Sequence, residues 1–265
     1  MHKIKDKTFS SILQFVIIAN LVMVIEYIIK TTSMDADYSS YSFWNYIGSN
    51  GSLSPFLMML STIYITLGSS YTFFSEINSG VYKNIISRIG YKKYILISFK
   101  NAAVKALCLL PLISILILFL GKLLYTDNIG YYTGDILTSF VKTPYDSPFV
   151  YALSSILLMC MYAIILVQLI FILVPKFKKI YILEIALFII VNLYNFIFSN
   201  VIPGVMGIIF KTNIFNGINL FYGYHPGSLT KIFPMFIALA ITLCITTCIL
   251  FLQYKKKESL VLKCG

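Results

Sequence analysis

Apolar positions along this chain gather into six long runs, and polar, charged and glycine residues collect between them. A helix needs about 20 residues to cross about 30 Å of hydrocarbon at about 1.5 Å per residue. Six runs qualify, at about 9–29, 55–75, 97–121, 149–174, 180–200 and 232–253. The pattern predicts an all-α integral membrane protein, a single transmembrane domain over 1–265 with six transmembrane helices. Little more than residues 175–179 separates the fourth run from the fifth, which predicts a tight antiparallel hairpin. The connections around 38–54 and 122–148 are longer and rich in Tyr, Ser and Gly.

Two segments depart from this alternation. Residues 79–90 continue from Ile77 with Val81, Ile85 and Ile89 at every fourth position, while Asn78, Lys83, Asn84, Ser87 and Arg88 lie largely off that stripe. This spacing predicts a short amphipathic helix along the membrane surface with its polar face toward the cytoplasm. Ser79 is the expected N-cap and Gly90 the expected stop. Glu76 ends the second run where a helix N-terminus favours negative charge, and a nearby lysine is a candidate partner for it. The other departure is 201–231, where Pro203, Gly204, Gly207, Gly217, Gly223, Pro226 and Gly227 interrupt a stretch dense in Ile, Phe and Val. It predicts one or two half-helices re-entering the outer leaflet, which requires their broken backbone to be covered by protein or to face water. A hydrophobic external loop packed on the bundle is the alternative.

Composition agrees with the pattern: at 58% hydrophobic and 12% charged, the chain lacks the charge that a water-soluble surface needs. Its net charge of +11 would suit nucleic acid only as a basic patch on a soluble module, whereas here the lysines flank apolar runs. No nucleic-acid partner is expected, and the bilayer is. The charges also orient the chain. Lys3, Lys5, Lys7, the group from Lys83 to Lys105, Lys176, Lys178, Lys179, and Lys255, Lys256, Lys257 and Lys263 fall on one side. Lys30, Lys122, Lys142, Lys211 and Lys231 fall on the other, with Asp35, Asp37, Asp127, Asp135 and Asp146. The positive-inside rule then places both termini in the cytoplasm. The run after Lys7 lacks a small-residue cleavage site and is expected to be retained as the first span.

Carboxylates inside the spans cost about 2.5–3.5 kcal/mol when central. Glu26 stands about one turn from the external end of the first span, and Glu184 about one turn from the cytoplasmic end of the fifth. Asn192 and Asn195 follow Glu184, and Asn195 comes round to within about 20° of it. With Asn20 and Gln168 they are candidates to line a polar path; the alternative is that they hydrogen-bond neighbouring helices and hold the bundle together. The cysteines show neither zinc spacing nor a paired framework and are expected to be apolar fillers. His2 and His225 have no catalytic company, so no enzyme activity, metal or cofactor is expected on this chain.

Six spans with both ends inside, an amphipathic cytoplasmic helix after the second, and an interrupted apolar segment before the sixth resemble the membrane subunit of a type-2 ABC transporter. Phe74, Ser75 and Glu76, then Gly80 and Tyr82, and later Arg88, Tyr91 and Lys100 look like that family's acidic residue, glycine and basic residue around the coupling helix. In size and in its wealth of Ile, Lys, Asn and Tyr, the chain resembles permeases that export, or confer immunity to, lantibiotics, bacteriocins and other amphipathic peptides. It departs from many relatives in having only about eight residues before the first span, where they carry a longer amphipathic helix. The resemblance implies a bacterial cytoplasmic membrane and a division of labour. The chain has no Gly-rich phosphate loop, so ATP and Mg belong to separate cytoplasmic ABC ATPase subunits. A second permease copy, or a sister permease, completes the assembly. Glu76, Gly80, Tyr82, Ile85 and Arg88 are the implied ATPase-coupling residues, with Glu26, Glu184, Asn192 and Asn195 as the candidate translocation path. A substrate-binding membrane component or an ion-coupled secondary carrier is the alternative; a structural or sensory subunit is a third reading.

Overall fold

The structure, a computed structural model, describes residues 7–32, 40–125, 148–197, 201 and 232–255. Backbone in hydrocarbon must satisfy its own polar groups, and helices do so within one segment. Among the described residues the regular elements are all helical and no strand occurs. They are α1 (Lys7–Thr32), α2 (Ser40–Asn45), α3 (Ser54–Ile65), α4 (Tyr71–Asn78), α5 (Val81–Ile89), α6 (Tyr91–Leu109), α7 (Pro111–Leu124), α8 (Pro148–Leu173), α9 (Ile180–Phe196) and α10 (Ile232–Lys255). Wider π turns at Tyr46–Asn50 and Thr66–Ser70 extend α2 and join α3 to α4.

Among the described residues, five helical stretches are long and apolar enough to cross a membrane: Lys7–Thr32, Ser54–Asn78, Tyr91–Leu124, Ala152–Lys176 and Met235–Lys255. They coincide with five of the six expected spans. At the expected fifth span stands α9, shorter at 17 residues and about 26 Å. Leu183, Leu187 and Val191 bury one stripe of α9, while Ile185, Ile189 and Leu193 leave the other face bare and apolar. The continuation expected over 198–200 and, apart from Val201, the re-entrant segment expected at 201–231 lie outside the described residues, as do residues 1–6 and 256–265, His225 and most of the connection at 122–148.

At the centre runs α8, whose Leu158, Tyr162, Ala163, Leu166, Val167 and Ile170 are wholly buried. Hydrogen bonds between hydroxyls and amides fasten neighbours to it, each contributing about 0.6–2 kcal/mol in a membrane interior. Ser61 Oγ and Tyr162 Oη lie 2.6 Å apart between α3 and α8. Gln168 donates to Thr247 Oγ1 at 2.8 Å and accepts from Thr246, which locks α8 to α10. Tyr194 meets Thr242 at 2.9 Å, joining α9 to α10. At the π turn, Ser69 bonds the carbonyl of Ile65, a side-chain bond that competes with the helical ladder. Gly68 lets α6 approach there: a Cβ on it would stand 2.5 Å from Leu109 Cδ1.

From Ser40 onward, the connection expected around 38–54 is helical and packed. Here α2 and its π turn dip into the bundle, and Phe43, Trp44 and Ile47 are almost fully buried. Trp44 Nε1 donates to Ser114 Oγ on α7 at 2.8 Å.

Together α6 and α7 form a stretch of 34 residues, about 51 Å long, that breaks at Leu110 because Pro111 offers no N–H and its ring clashes one turn back. Such a stretch exceeds the hydrocarbon by about 20 Å. Phe9, near the start of α1, meets the Lys105 ammonium at 5.6 Å, about 21 Å along α6 from Tyr91. The first half of α6, with α4 and α5, therefore extends beyond the start of α1 as an elbow.

Candidate functional site: the elbow between α4 and α6

Two left-handed glycines shape the elbow. Gly80, at φ 76° and ψ −2°, turns the chain out of α4 into α5, and Gly90, at φ 82° and ψ 150°, turns it into α6. Gly90 ends α5 as expected, donating its N–H to the carbonyl of Ile86 at 2.8 Å. The expected N-cap is corrected: Gly80 occupies that position, and Ser79 instead closes α4, donating its N–H to Ser75 O at 2.9 Å. No heavy atom lies within 4 Å of where a Cβ would stand on either glycine, so a substitution there meets only backbone strain. The two positions differ in what they tolerate. Asparagine adopts the region of Gly80 readily, whereas the region of Gly90 is essentially reserved for glycine. Gly80→Asn is expected to be nearly neutral, and Gly90→Asn to cost about 1–3 kcal/mol, read by thermal unfolding in detergent. Equal losses at both sites would refute this account of the turns.

The stripe on α5 is also corrected. A four-residue step overshoots the helical turn by about 40°, so Val81, Ile85 and Ile89 wind off the axis. The face turned to the protein is instead Tyr82, Ile85 and Ile86, at i, i+3 and i+4. Tyr82 is 1% exposed, Ile85 and Ile86 are half-buried against the core, and Val81 is 46% exposed. Lys83, Asn84, Ser87 and Arg88 all face outward. Of the implied coupling residues, Arg88 is thus on the open face, Tyr82 is an inward anchor, Ile85 lies at the boundary, and Gly80 and Glu76 set the frame.

Glu76 takes a tyrosine rather than a lysine. Tyr94, buried in the second turn of α6, donates its hydroxyl to Glu76 Oε2 at 2.8 Å, which clamps the two legs of the elbow across α5. Below the clamp, Phe73 of α4 stacks on Phe171 of α8 with centroids 4.0 Å apart and rings 6° from parallel. Phe99 of α6 meets Phe171 edge-on at 5.4 Å. Tyr254 of α10 then donates to the carbonyl of Phe171 at 2.7 Å. Neither aromatic pairing nor clamp is a sequence-local contact, so only the acidic residue and the glycines were legible beforehand.

Of the candidate translocation path, Glu184 and Asn192 share α9, and Glu26 stands apart from them on α1. Glu26, at the opposite end of the bundle, accepts from Tyr46 Oη at 2.8 Å, from Ser52 Oγ at 2.7 Å and N at 3.1 Å, and pairs with Lys30 at 3.1 Å. Lys30 also bonds the Tyr46 hydroxyl. This knot fastens α1 to the chain that follows α2. Glu184, in the second turn of α9, has a buried Oε1 that accepts no hydrogen bond among the described residues. Asn192 donates to its own helix at Phe188 O, 2.8 Å away, and the side chain of Asn195 lies outside the described part. Asn20 likewise donates to Val16 O at 2.7 Å and lines, with Trp44, Tyr64 and Ser114, a cavity with about 30 Å³ open to water centres. That space suits a water or two. Among the described residues no cluster of His, Cys, Asp or Glu could hold a metal ion.

Compared with models of known families, with curated proteins and with solved structures, the chain matches none of them.

Proposed function

We propose that the chain is the permease subunit of an ATP-driven type-2 ABC transporter in a bacterial cytoplasmic membrane, and that it exports or clears an amphipathic or hydrophobic substrate such as an antimicrobial peptide. In this reading six spans cross the membrane, both termini are cytoplasmic, and the elbow lies inside. The observation that carries it is α5 itself: a helix held between two positive-φ glycines, with Tyr82, Ile85 and Ile86 turned to its own chain and Lys83, Asn84, Ser87 and Arg88 turned outward. A surface helix of that construction is suited to receive a push. ATPase subunits closing on ATP and Mg would bias a pre-existing equilibrium of the bundle rather than create a new state. Glu76 and Tyr94 keep α4 and α6 together as α5 moves, and the contacts of Phe171 carry the displacement to α8 and α10. A second copy or a sister permease would complete the path.

The test is stimulated ATP hydrolysis by the full chain in nanodiscs, together with a P-loop ATPase that copurifies with it. Asn84→Trp with Ser87→Trp adds bulk to the open face of α5 without touching its buried side. Stimulated hydrolysis is expected to fall about tenfold or more, about 1.4 kcal/mol, while Tm stays unchanged. Full stimulation in the double variant refutes the coupling role.

An ion-coupled carrier is the second reading, and Glu184 favours it, since its buried Oε1, which meets no hydrogen-bond donor among the described residues, is a natural proton acceptor. Transport that survives collapse of the ion gradient but stops without ATP eliminates it.

A further inference from the structure

The outward face of α5 carries two cations, Lys83 and Arg88, flanking the neutral Asn84 and Ser87. Past Gly90, Lys92 and Lys93 stand exposed on the first turn of α6. Lys176, Lys178 and Lys179 are exposed in the connection between α8 and α9, which begins in contact with α4. The described carboxylates at this end do not offset them, because Glu76 is half-buried and bonded to Tyr94, and Glu184 is half-buried with Oε1 shut away from water.

We infer that the partner surface receiving α5 is an acidic cleft, lined by carboxylates that meet Lys83 and Arg88, on the cytoplasmic ATPase subunit. This deepens the permease reading and rests on it. Complementary charge of this kind steers encounter and fixes register, and it weakens as salt screens it. An anionic lipid surface calls for the reverse arrangement. A helix lying on lipid buries a broad apolar flank at the headgroup boundary, whereas α5 turns Tyr82, Ile85 and Ile86 to its own chain and leaves only Val81 and Ile89 exposed at its two ends. Asn84 and Ser87 add neutral donors and acceptors between the two cations, a mixture suited to a shaped protein cleft rather than to a fluid headgroup layer.

The full chain in neutral phosphatidylcholine nanodiscs provides the test, with two probes: the ATPase subunit that copurifies with it, and fluorescent poly-L-glutamate as an acidic surface alone. Raising ionic strength from about 50 to about 300 mM is expected to weaken both by about tenfold. Lys83→Glu with Arg88→Glu is expected to weaken both by about tenfold or more, and Lys83→Arg with Arg88→Lys to restore them. ATPase binding that ignores both salt and charge reversal overturns the acidic cleft and leaves the permease reading standing. A reversal that changes only retention on phosphatidylglycerol vesicles, with poly-L-glutamate binding intact, assigns the face to lipid and overturns the proposal. If no ATPase copurifies while poly-L-glutamate binding still requires Lys83 and Arg88, the acidic partner survives and the transporter reading fails.

Discussion

Phe171→Ala is expected to cost about 2–4 kcal/mol against unfolding and to free the elbow from the bundle. The side chain is wholly buried, sandwiched between the face of Phe73 and the edge of Phe99. In a membrane the unfolded helices already lie in lipid, so the transfer of a ring out of water contributes little to its worth. What remains is packing: two aromatic pairs at about 0.5–1.5 kcal/mol each, and a cavity at about 24 cal/mol per Å³ where neighbours cannot collapse. The hydrogen bond from Tyr254 goes to the Phe171 carbonyl and survives the substitution, so α8 and α10 should stay together while α4 and α6 loosen. Denaturation in mixed detergent micelles reads the stability. A spin-label distance between α5 and α8 reads the loosening, and Phe171→Leu should lose about half as much. A loss below about 1 kcal/mol would mean that the stacked rings carry no load and that the elbow is held elsewhere.

Trp44→Ala is expected to be comparably severe, about 3–5 kcal/mol, for a different reason. Only six residues long, α2 has little intrinsic stability and holds its place by docking. Trp44 is 1% exposed and hydrogen-bonded to Ser114, Phe43 packs edge-on against Tyr27 at 5.2 Å, and a Cβ on Gly121 would stand 2.9 Å from the Ser40 carbonyl oxygen. Removing the indole leaves a large void and strips Ser114 of its donor. Trp44 is also the single tryptophan of the chain, which gives a direct readout. Its emission is expected to be that of a buried indole, shielded from acrylamide, and Phe43→Ala should shift it to the red by letting α2 lift away. An accessible, red-emitting Trp44 in the unaltered protein would contradict this docking.

The elbow shows how far residues alone could be read. Glycine at 80 and 90, an acid at 76 and a polar–apolar alternation between them announced a short helix between two longer ones, because turn chemistry and periodicity are local properties. The inward face of that helix lies one step round from the four-residue spacing. Val81 fits a four-residue spacing as well as Tyr82 fits the true face, and an aromatic with a hydroxyl reads equally as anchor or as interfacial ring. Glu76 stands in the last turn of α4, but its partner Tyr94 is 18 residues away, on a helix whose rotation no local rule fixes. Glu26 is similar: Ser52 and Tyr46 reach it only because α2 folds back into the bundle. That return was hidden in a segment whose Tyr and Ser content resembles any polar connection.

By itself the sequence determined where helices run and where they turn, since each apolar run must close its own backbone hydrogen bonds in lipid and each break needs a glycine, a proline or a charge. The tertiary structure decided which side of each helix meets protein. In α1 the buried Val16, Ala19, Met23, Val24 and Tyr27 are no more apolar than the exposed Phe15, Ile18, Leu21, Ile25 and Ile29. Water separates inside from outside by polarity, but lipid tails and a packed helix present the same chemistry to a leucine. Shape alone separates them, and shape is a property of the assembled helices rather than of any one run of residues.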